Sequence, residues 1–394
     1  MMCANRCQQS NGLCNGLLSL LLVSVSLIPS TIFSQEHTIQ IDSDTLVQEG
    51  VRHIAWSSNE PRWGGDIIIA DLNSKVSLKT TKANEQLLGY QKTQIMAENY
   101  TNSTRKKVIA AINGDFYKRG GIPVHSQVID GEILKAPVTR DALAITSEGG
   151  FLMGTFDYSA SVRHDGRIIA LNGLNQARGE HELILYNSYY GDSTKTNSYG
   201  FELILKQLSF KPINEAETFV VMEPTEATNG LIPEGHIVLS AHGDRIKDLQ
   251  SFTAGDTVEI THQLRYSSMA EEVEEDTVHS TYSIVEFMGG SKTFVQSGVV
   301  DGNWPERHPR SAIGFNADST QVYLFTVDGR QEHSVGMTLT EMGHVMKGFG
   351  VWHALNLDGG GSTTLILKDK VVNFPSDATG QRWVSNAILL VQEQ

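Results

Sequence analysis

The chain has 394 residues and carries 31 lysines and arginines against 45 aspartates and glutamates, a net charge of −14 with histidine neutral. Its 40% of hydrophobic and 19% of charged residues are typical of a folded protein and exclude a disordered one. The acidic balance argues against a nucleic-acid partner, because phosphate backbones are bound by clustered lysine and arginine.

The N-terminus has the layout of a secretory signal. The basic residue Arg6 is followed by the apolar run Leu17–Ile28 and then by small residues, which predicts a signal peptide over residues 1–34. The run is too short to span a hydrocarbon layer of ~30 Å, so no membrane span is expected after cleavage, with an uncleaved anchor as the alternative. All three cysteines lie in this segment. The mature chain would therefore have no thiol nucleophile, and a secreted, periplasmic or cell-surface location in a bacterium is expected.

Strands dominate the predicted secondary structure. Short β-rich runs bounded by Gly, Asn or Asp are typical of strands. Examples of such runs, in chain order, are Asp66–Ala70, Lys107–Asn113, Ala142–Thr146, Phe219–Glu223, His236–Ala241, Val258–Gln263, Gln321–Val327, Thr363–Leu367 and Ala387–Gln392.

Two segments have helical patterns, Asn84–Asn99 and Thr340–Phe349. In the second, apolar residues recur at the spacing of one helix face, and Thr338 with Glu341 three residues later has the spacing of a capping box. The fold class predicted is α+β: a mixed, sheet-rich domain with a few helices and a β-rich insertion.

The pattern divides the chain into zones. Residues 35–105 form an N-terminal β-rich portion, and residues 106–394 a catalytic domain that contains the β-rich insertion 155–279. The acidic run Glu271–Asp276 within the insertion is typical of a solvated loop.

A triple-glycine turn is the strongest chemical signal. An apolar strand delivers Asp358 to the turn, and the residues that follow are Gly359, Gly360, Gly361, Ser362 and Thr363. Consecutive glycines let backbone N–H groups point into one concavity, which favours an anion site, although a simple glycine hairpin with a capping Asp is the alternative. The GxxxxGK[ST] spacing of a phosphate-binding P-loop is absent.

Three further strand ends carry polar residues. Asn113, Asp115 and Tyr117 follow the first, where the Asp and aromatic side chains suit a sugar, although Asn-Gly is also an ordinary turn. His308 and Arg310 precede the next strand, and an Arg fork matches phosphate or carboxylate, with a surface ion pair as the alternative.

The last of these strands runs into Asp328, followed by Gly-Arg, which alone is a turn signal. The four motifs share one format, an apolar strand that delivers a polar residue into a Gly-containing turn, and rigid strands with functional loops at their ends build many active sites. The inventory fits hydrolysis of an anionic, sugar-like substrate. If the leaving group is a phosphate ester, it departs as a stable anion, so a cation that holds it matters more than a general acid.

These motifs in this order resemble the phosphodiester glycosidase family. The resemblance is dense in 285–394, covers most of 106–394 and is thin before residue 100. One departure is a carboxylate, Asp115, where the family pattern has a second glycine. The matching segments are Asn113–Tyr117, Arg310–Gly314, Asp328–Arg330, Gly336–Glu341, Leu357–Thr364 and Arg382–Ala387.

The resemblance implies a secreted hydrolase that cleaves a sugar-1-phosphodiester or a related glycosidic bond in extracellular glycan. Arg310 and the glycine turn would hold the phosphate, with His308 as a further ligand, and Asn113, Asp115 and Tyr117 would bind the sugar. Asp358 and Asp328 are the expected base or nucleophile and its partner. Glu341 is a reserve carboxylate whose other role is capping its own helix.

Two alternatives stay open from the residues. One is a non-catalytic glycan-binding or cell-envelope and exopolysaccharide assembly protein on the same scaffold. The other is a phosphatase, which would release inorganic phosphate instead of free sugar. No cofactor is required by the sequence, but Asp115, Asp328 and Asp358 are hard oxygen ligands suited to calcium or magnesium.

Overall fold

The structure is a computed structural model that describes residues 31–33, 37–222, 228–267 and 282–393. The apolar run of the predicted signal peptide and the acidic run Glu271–Asp276 lie outside the described residues. Within the part of the chain that is described, no helix is long and apolar enough to cross a membrane.

Strands make up most of the regular structure, which confirms the predicted excess of sheet. In chain order they are β1 Thr31–Phe33, β2 Thr38–Gln48, β3 Val51–Asn59, β4 Arg62–Asp71, β5 Val76–Lys82, β6 Val108–Asn113, β7 Tyr117–Lys118, β8 Ile122–Pro123, β9 Gln127–Ile129, β10 Glu132–Lys135, β11 Ala142–Thr146, β12 Phe151–His164, β13 Arg167–Ala170, β14 Gly173–Leu174, β15 Leu183–Tyr186, β16 Phe201–Gln207, β17 Ala216–Val221, β18 His236–Ala241, β19 Thr257–Ser267, β20 Ile284–Gly289, β21 Thr293–Gln296, β22 Val299–Val300, β23 Arg310–Phe315, β24 Gln321–Val327, β25 His353–Asn356, β26 Leu365–Leu367, β27 Lys370–Val371 and β28 Asn386–Gln392.

Helices are few and short. The α-helices of the described residues are α1 Thr93–Thr104, α2 Ile246–Leu249 and α3 Leu339–Gly348, and the 3-10 turns are Ala83–Glu85, Ser188–Tyr190, Gly243–Arg245 and Gly360–Ser362.

Three large sheets form from these strands, beside the small pair β7–β8. The nine-stranded sheet has the order β1-β2-β3-β4-β24-β23-β25-β21-β22, and the five-stranded sheet has the order β27-β26-β6-β28-β5. The third sheet runs β10-β9-β20-β11-β12-β19-β17-β16-β18-β15-β14, with β13 paired to β12. Strands from residues 155–279 supply much of this third sheet, while β4 and β5 from the N-terminal zone belong to the first two.

The first predicted helix begins later than expected. Asn84 has a left-handed φ of 58° and Gly89 a φ of 152°, so the chain turns here instead of starting a helix. Gln91 then pairs with Val384 as an isolated bridge, and α1 begins at Thr93. The predicted start at residue 84 is wrong because turn residues and a tertiary bridge override the local helical spacing.

Register explains why the motifs meet. In the nine-stranded sheet all pairs are antiparallel, and Arg310 at the start of β23 lies opposite Val327 at the end of β24. Ala312 lies opposite Asn356, the end of β25. The polar residues that follow β24 and β25 therefore emerge beside the start of β23.

In the five-stranded sheet, too, the end of one strand lies opposite the start of its antiparallel neighbour. Asn113 at the end of β6 lies opposite Ala387 near the start of β28. A shared hydrophobic core packs this sheet against the nine-stranded one. Its fully buried members include Ile112, Ile313, Leu324, Leu355, Leu365 and Ile388.

Candidate active site

Five of the sequence motifs converge on one cleft with a volume of about 200 Å³. Its wall is formed by strand ends of the nine-stranded and five-stranded sheets and by the turns next to them. The lining residues are Phe116, Trp304, His308, Pro309, Arg310, Arg330, Asn356, Leu357, Asp358, Gly359, Gly360 and Arg382.

Asp358 is the one carboxylate among the residues that line this cleft. Burial raises its pKa to about 6, and the positive charge of Arg382 acts in the opposite direction. A carboxyl group with this pKa is largely ionised at neutral pH and can still exchange a proton, which suits a nucleophile or a general base.

Asn113 holds the Asp358 backbone in place. Its Nδ2 donates to the Asp358 carbonyl oxygen at 2.7 Å, and its Oδ1 accepts from Ser311 Oγ at 2.7 Å and from the Thr364 N–H at 3.0 Å. The side chain is fully buried, and the Asp358 N–H donates to the Gly114 carbonyl at 3.0 Å. Asn113 therefore ties β6, β23 and the glycine turn together from behind the cleft.

Arg310 is held rigidly at the cleft. Its Nε donates to the Met337 carbonyl at 2.7 Å and its Nη2 to the Glu306 carbonyl at 2.8 Å, while the guanidinium lies 5.1 Å from the ring centre of Trp304. Burial lowers the pKa of Arg310 to about 10, so it stays cationic at neutral pH. Its bonds go to neutral carbonyls and not to carboxylates, which leaves its charge available to an anion.

Two more arginines, Arg330 and Arg382, complete the cationic wall, and His308 lies beside them. Arg330 Nη2 lies 3.2 Å from His308 Nδ1. Burial, together with the charges of Arg310 and Arg330, lowers the pKa of His308. Arg382 binds Asp377 in a bidentate pair, through Nε at 2.7 Å and Nη2 at 2.8 Å.

The main contribution of the glycine turn is room for neighbouring side chains, and not free N–H donors. A Cβ on Gly361 would collide with Arg382 and Asp377, so only glycine lets this ion pair approach the turn. The N–H groups of Gly360, Ser362 and Thr363 already donate to the Pro309, Gly359 and Gly360 carbonyls. The side chains of Ser362 and Thr363 are buried and are absent from the cleft lining. The positive charge of the cleft comes from its arginines.

Asp115 and Tyr117 flank Phe116 but are absent from the cleft lining. Asp115 is 1% exposed, and its Oδ2 accepts from the His125 N–H at 2.7 Å. Burial raises its pKa to about 7. The Tyr117 hydroxyl donates to the Trp383 carbonyl at 3.1 Å, and burial raises its pKa.

Asp328 and Glu341, the other two predicted carboxylates, are engaged elsewhere. Asp328 Oδ2 lies 3.2 Å from His333 Nε2, Oδ1 accepts from the Phe374 N–H at 2.9 Å, and burial raises its pKa to about 6. The Glu341 carboxylate pairs with Arg307 and accepts from the Thr338 N–H at 2.8 Å, while Thr338 caps α3. The predicted capping box is confirmed, and neither carboxylate lines the cleft beside Asp358.

Sequence reasoning missed Arg330, Arg382, Trp304 and Phe116 as cleft residues. Both arginines lie inside the family-like segments quoted above, at the end of Asp-Gly-Arg and at the start of the last strand motif. The sequence feature that could have identified both arginines is a positive charge next to a turn in an acidic chain. Trp304 carried no motif, and only the fold places it beside Arg310.

Fold and cleft together define a sheet-rich protein with a cleft that is lined by three arginines and a single carboxylate. The model of the phosphodiester glycosidase family matches residues 212–391, and the resemblance predicted from the motifs is confirmed. The match includes the cleft residues from Trp304 to Arg382, whereas the Asn113 motif lies before it.

Individual relatives agree over shorter stretches. A prophage-derived uncharacterized protein of Bacillus subtilis is 42% identical over 71 residues, 18% of this chain and 11% of that protein. The N-acetylglucosamine-1-phosphodiester alpha-N-acetylglucosaminidase of Mus musculus is 40% identical over 68 residues, 17% of this chain and 13% of the enzyme. The alignments thus span about an eighth or less of the relatives they match.

A solved structure shares the fold more widely. The crystal structure of a hypothetical protein from Synechocystis superposes with a TM-score of 0.65 at 19% identity, covering 89% of this chain and 64% of that one. At this identity the similarity concerns the fold alone.

Proposed function

We propose that this protein is a secreted hydrolase that cleaves a sugar-1-phosphodiester or a related glycosidic bond in extracellular glycan. One observation carries the proposal: Arg310, Arg330 and Arg382 line the same cleft as Asp358. Guanidinium groups match phosphate oxygens, and Trp304 and Phe116 offer flat apolar faces to a sugar ring.

A single carboxylate suits this chemistry. Most glycosidases need a second carboxyl group to protonate the leaving oxygen. A phosphate monoester leaves as a stable anion, so cations that stabilise the developing negative charge replace that acid. The cleft has this composition, since its charged groups are three arginines and Asp358.

Asp358 is the group that acts at the anomeric carbon, as nucleophile or as the base that activates water. In either role it must be ionised. The product anomer separates the two, because a covalent intermediate gives retention and direct attack of water gives inversion.

The experiment uses purified protein on a panel of sugar-1-phosphodiesters, with free sugar and inorganic phosphate measured separately, with and without added calcium or magnesium. Free sugar without inorganic phosphate is expected. Asp358→Asn should lower kcat/KM by roughly 10²- to 10⁴-fold, the range for loss of an acid–base or nucleophilic group.

Arg330→Ala tests the cationic wall, and Arg265→Ala is its matched control. Arg330 is exposed and lines the cleft, whereas Arg265 is exposed on β19. Loss of turnover in Arg330→Ala with full activity in Arg265→Ala is expected. Release of inorganic phosphate would favour a phosphatase, and glycan binding without any turnover would favour the non-catalytic glycan-binding protein.

A further inference from the structure

A second and larger cavity, of about 510 Å³, lies outside the cleft. Its volume is within the range of sites that bind small organic ligands, roughly 300–1,000 Å³. Most of its wall is aliphatic, and the side chains that form this apolar part are Leu87, Leu88, Ile122, Pro137, Val138 and Leu174. We refer to it as the lysine cavity.

Its charged lining consists of Lys118, Lys135 and Lys195, with no carboxylate among the lining residues. This one-sided charge stands out in a chain with a net charge of −14. Lys135 Nζ donates to the Val124 carbonyl at 3.1 Å, and Lys195 Nζ lies 5.2 Å from the ring centre of Tyr190. Neither of these contacts neutralises a positive charge.

Two of the three ammonium groups, those of Lys118 and Lys135, are close enough to interact. The charge of Lys118 adds to burial in lowering the pKa of Lys135, and the charge of Asp115 acts in the opposite direction. An anion bound between them would relieve this repulsion, since like charges near an apolar wall are costly when uncompensated.

The lysine cavity adjoins the cleft through two chain segments. Phe116 lines the cleft and Lys118 the cavity, two residues or ~7 Å apart along an extended chain. On the second segment Val138 lines the cavity, and Arg140 lies 4.8 Å from the ring centre of Phe116.

We propose that the lysine cavity is a binding site for an anionic amphiphile, with an aliphatic chain packed against the leucine-rich wall and its acidic head group held by Lys118, Lys135 and Lys195. The aliphatic lining selects the chain, and the unpaired lysines select the negative head. This site does not depend on the activity proposed for the cleft.

The test is calorimetric titration of the full protein with octyl phosphate below its critical micelle concentration. Octyl glucoside supplies the chain without the charge, and inorganic phosphate the charge without the chain. Octyl phosphate should bind at least tenfold more tightly than either, because only it uses both halves of the site.

Paired variants locate the binding. Lys118→Glu and Leu88→Asp should each weaken it roughly tenfold or more, by reversing a charge and by placing a carboxylate in the apolar wall. Lys206→Glu and Leu46→Asp are matched exposed controls outside the cavity and should bind as the wild type does. Thermal unfolding of each variant confirms that it is folded.

Three results would overturn the proposal: equal affinity for octyl glucoside, unchanged binding in both cavity variants, or a loss of binding in Arg330→Ala, which would place the probe in the cleft. Turnover assays run in parallel separate the two ideas. If octyl phosphate binds in a way that depends on Lys118 but no sugar phosphodiester is hydrolysed, the cavity site stands and only the proposed function is refuted.

Discussion

Two carboxylates on adjoining turns, the half-buried Asp358 and the buried Asp115, differ in their surroundings. Asp358 lines a cleft with three arginines, whose positive charges favour its anion. Asp115 is sealed from solvent, and its Oδ1 has no hydrogen-bond partner among the described residues. Burial therefore raises the pKa of Asp115 further, to about 7 against about 6 for Asp358.

We expect the activity to fall at acid pH because Asp358 must be ionised to act. Below a pH of about 6, kcat/KM should decline about tenfold per pH unit as the carboxylate is protonated. A pH profile of kcat/KM on a cleaved sugar phosphodiester tests this. A profile that is flat from pH 5 to 7 would remove Asp358 from the role of base or nucleophile.

Asp115→Asn is expected to stabilise the protein at pH 8 and not at pH 4. The folded-state pKa of Asp115, about 7, exceeds its ordinary value of 3.8, so the folded state binds the proton more tightly. Stability from this group is greatest below about pH 4 and is lost as the pH rises through 7. Asn keeps an acceptor for the His125 N–H without the buried charge, a gain on the order of a few kcal/mol.

The measurement is urea unfolding of the wild type and Asp115→Asn at pH 4 and pH 8, with Glu148→Gln on an exposed turn as the control. The difference between variant and wild type should grow with pH, whereas the control should show no such trend. A destabilisation that is larger at pH 8 would mean that the ionised carboxylate is compensated by a charge near it.

At the scale of elements, the cap of helix α3 occupies Glu341, one of the carboxylates that the sequence offers for the site. Glu341 completes the capping box with Thr338 and pairs with Arg307 outside the cleft lining. Thr338→Ala should lower the free energy of unfolding by roughly 0.5–2 kcal/mol through loss of the cap. Glu341→Gln keeps an acceptor for the Thr338 N–H and should leave kcat/KM within about twofold of the wild type.

Denaturant unfolding and turnover of both variants check this pair of expectations. The informative contrast is with Asp358→Asn, which is expected to lose activity while staying folded. If Glu341→Gln lowers kcat/KM as much as Asp358→Asn does, without a change in the free energy of unfolding, Glu341 takes part in the reaction.

Local patterns predicted α3 and nine of the 28 described strands, because these elements carry their own periodicity. Ala142–Thr146, His236–Ala241 and Gln321–Val327 were predicted with the bounds that the structure has. The pattern also identified the strand ends that meet at the cleft. It could not show which polar residues face the cleft and which lie behind it, since that depends on register between strands far apart in sequence.

Asn113 and Trp304 illustrate this limit. Asn113 has the residue type of a sugar ligand, but its buried amide bonds to three partners that come from β23 and the turns around Asp358 and Thr364. Trp304 belongs to no sequence motif, and its position in the cleft is defined by its contact with the Arg310 guanidinium. In both cases the role is decided by tertiary contacts that no short window of sequence contains.

At the scale of the whole molecule, strands of the N-terminal zone, residues 35–105, pair with strands of the two sheets that form the cleft. β4 pairs with β24 from Gly65 to Asp71, and β5 pairs with β28 along its full length. Ile68 on β4 and Leu78 on β5 are buried in the core shared by the two sheets. These strands cover the edges of β24 and β28, on which the positions of Asp328 and Arg382 depend.

We therefore expect a chain that begins at residue 106 to lose cooperative folding. Without β4 and β5, the apolar faces of β24 and β28 lose their partners, and unpaired strand edges promote association. The test compares residues 106–394 with residues 37–394 by thermal unfolding, dye binding to exposed apolar surface and size-exclusion chromatography. The longer chain should unfold in one sharp transition, while the shorter one should bind dye and aggregate. A sharp transition of the shorter chain within a few degrees of the longer one would instead show that residues 35–105 form a separable portion, as the sequence zones suggest.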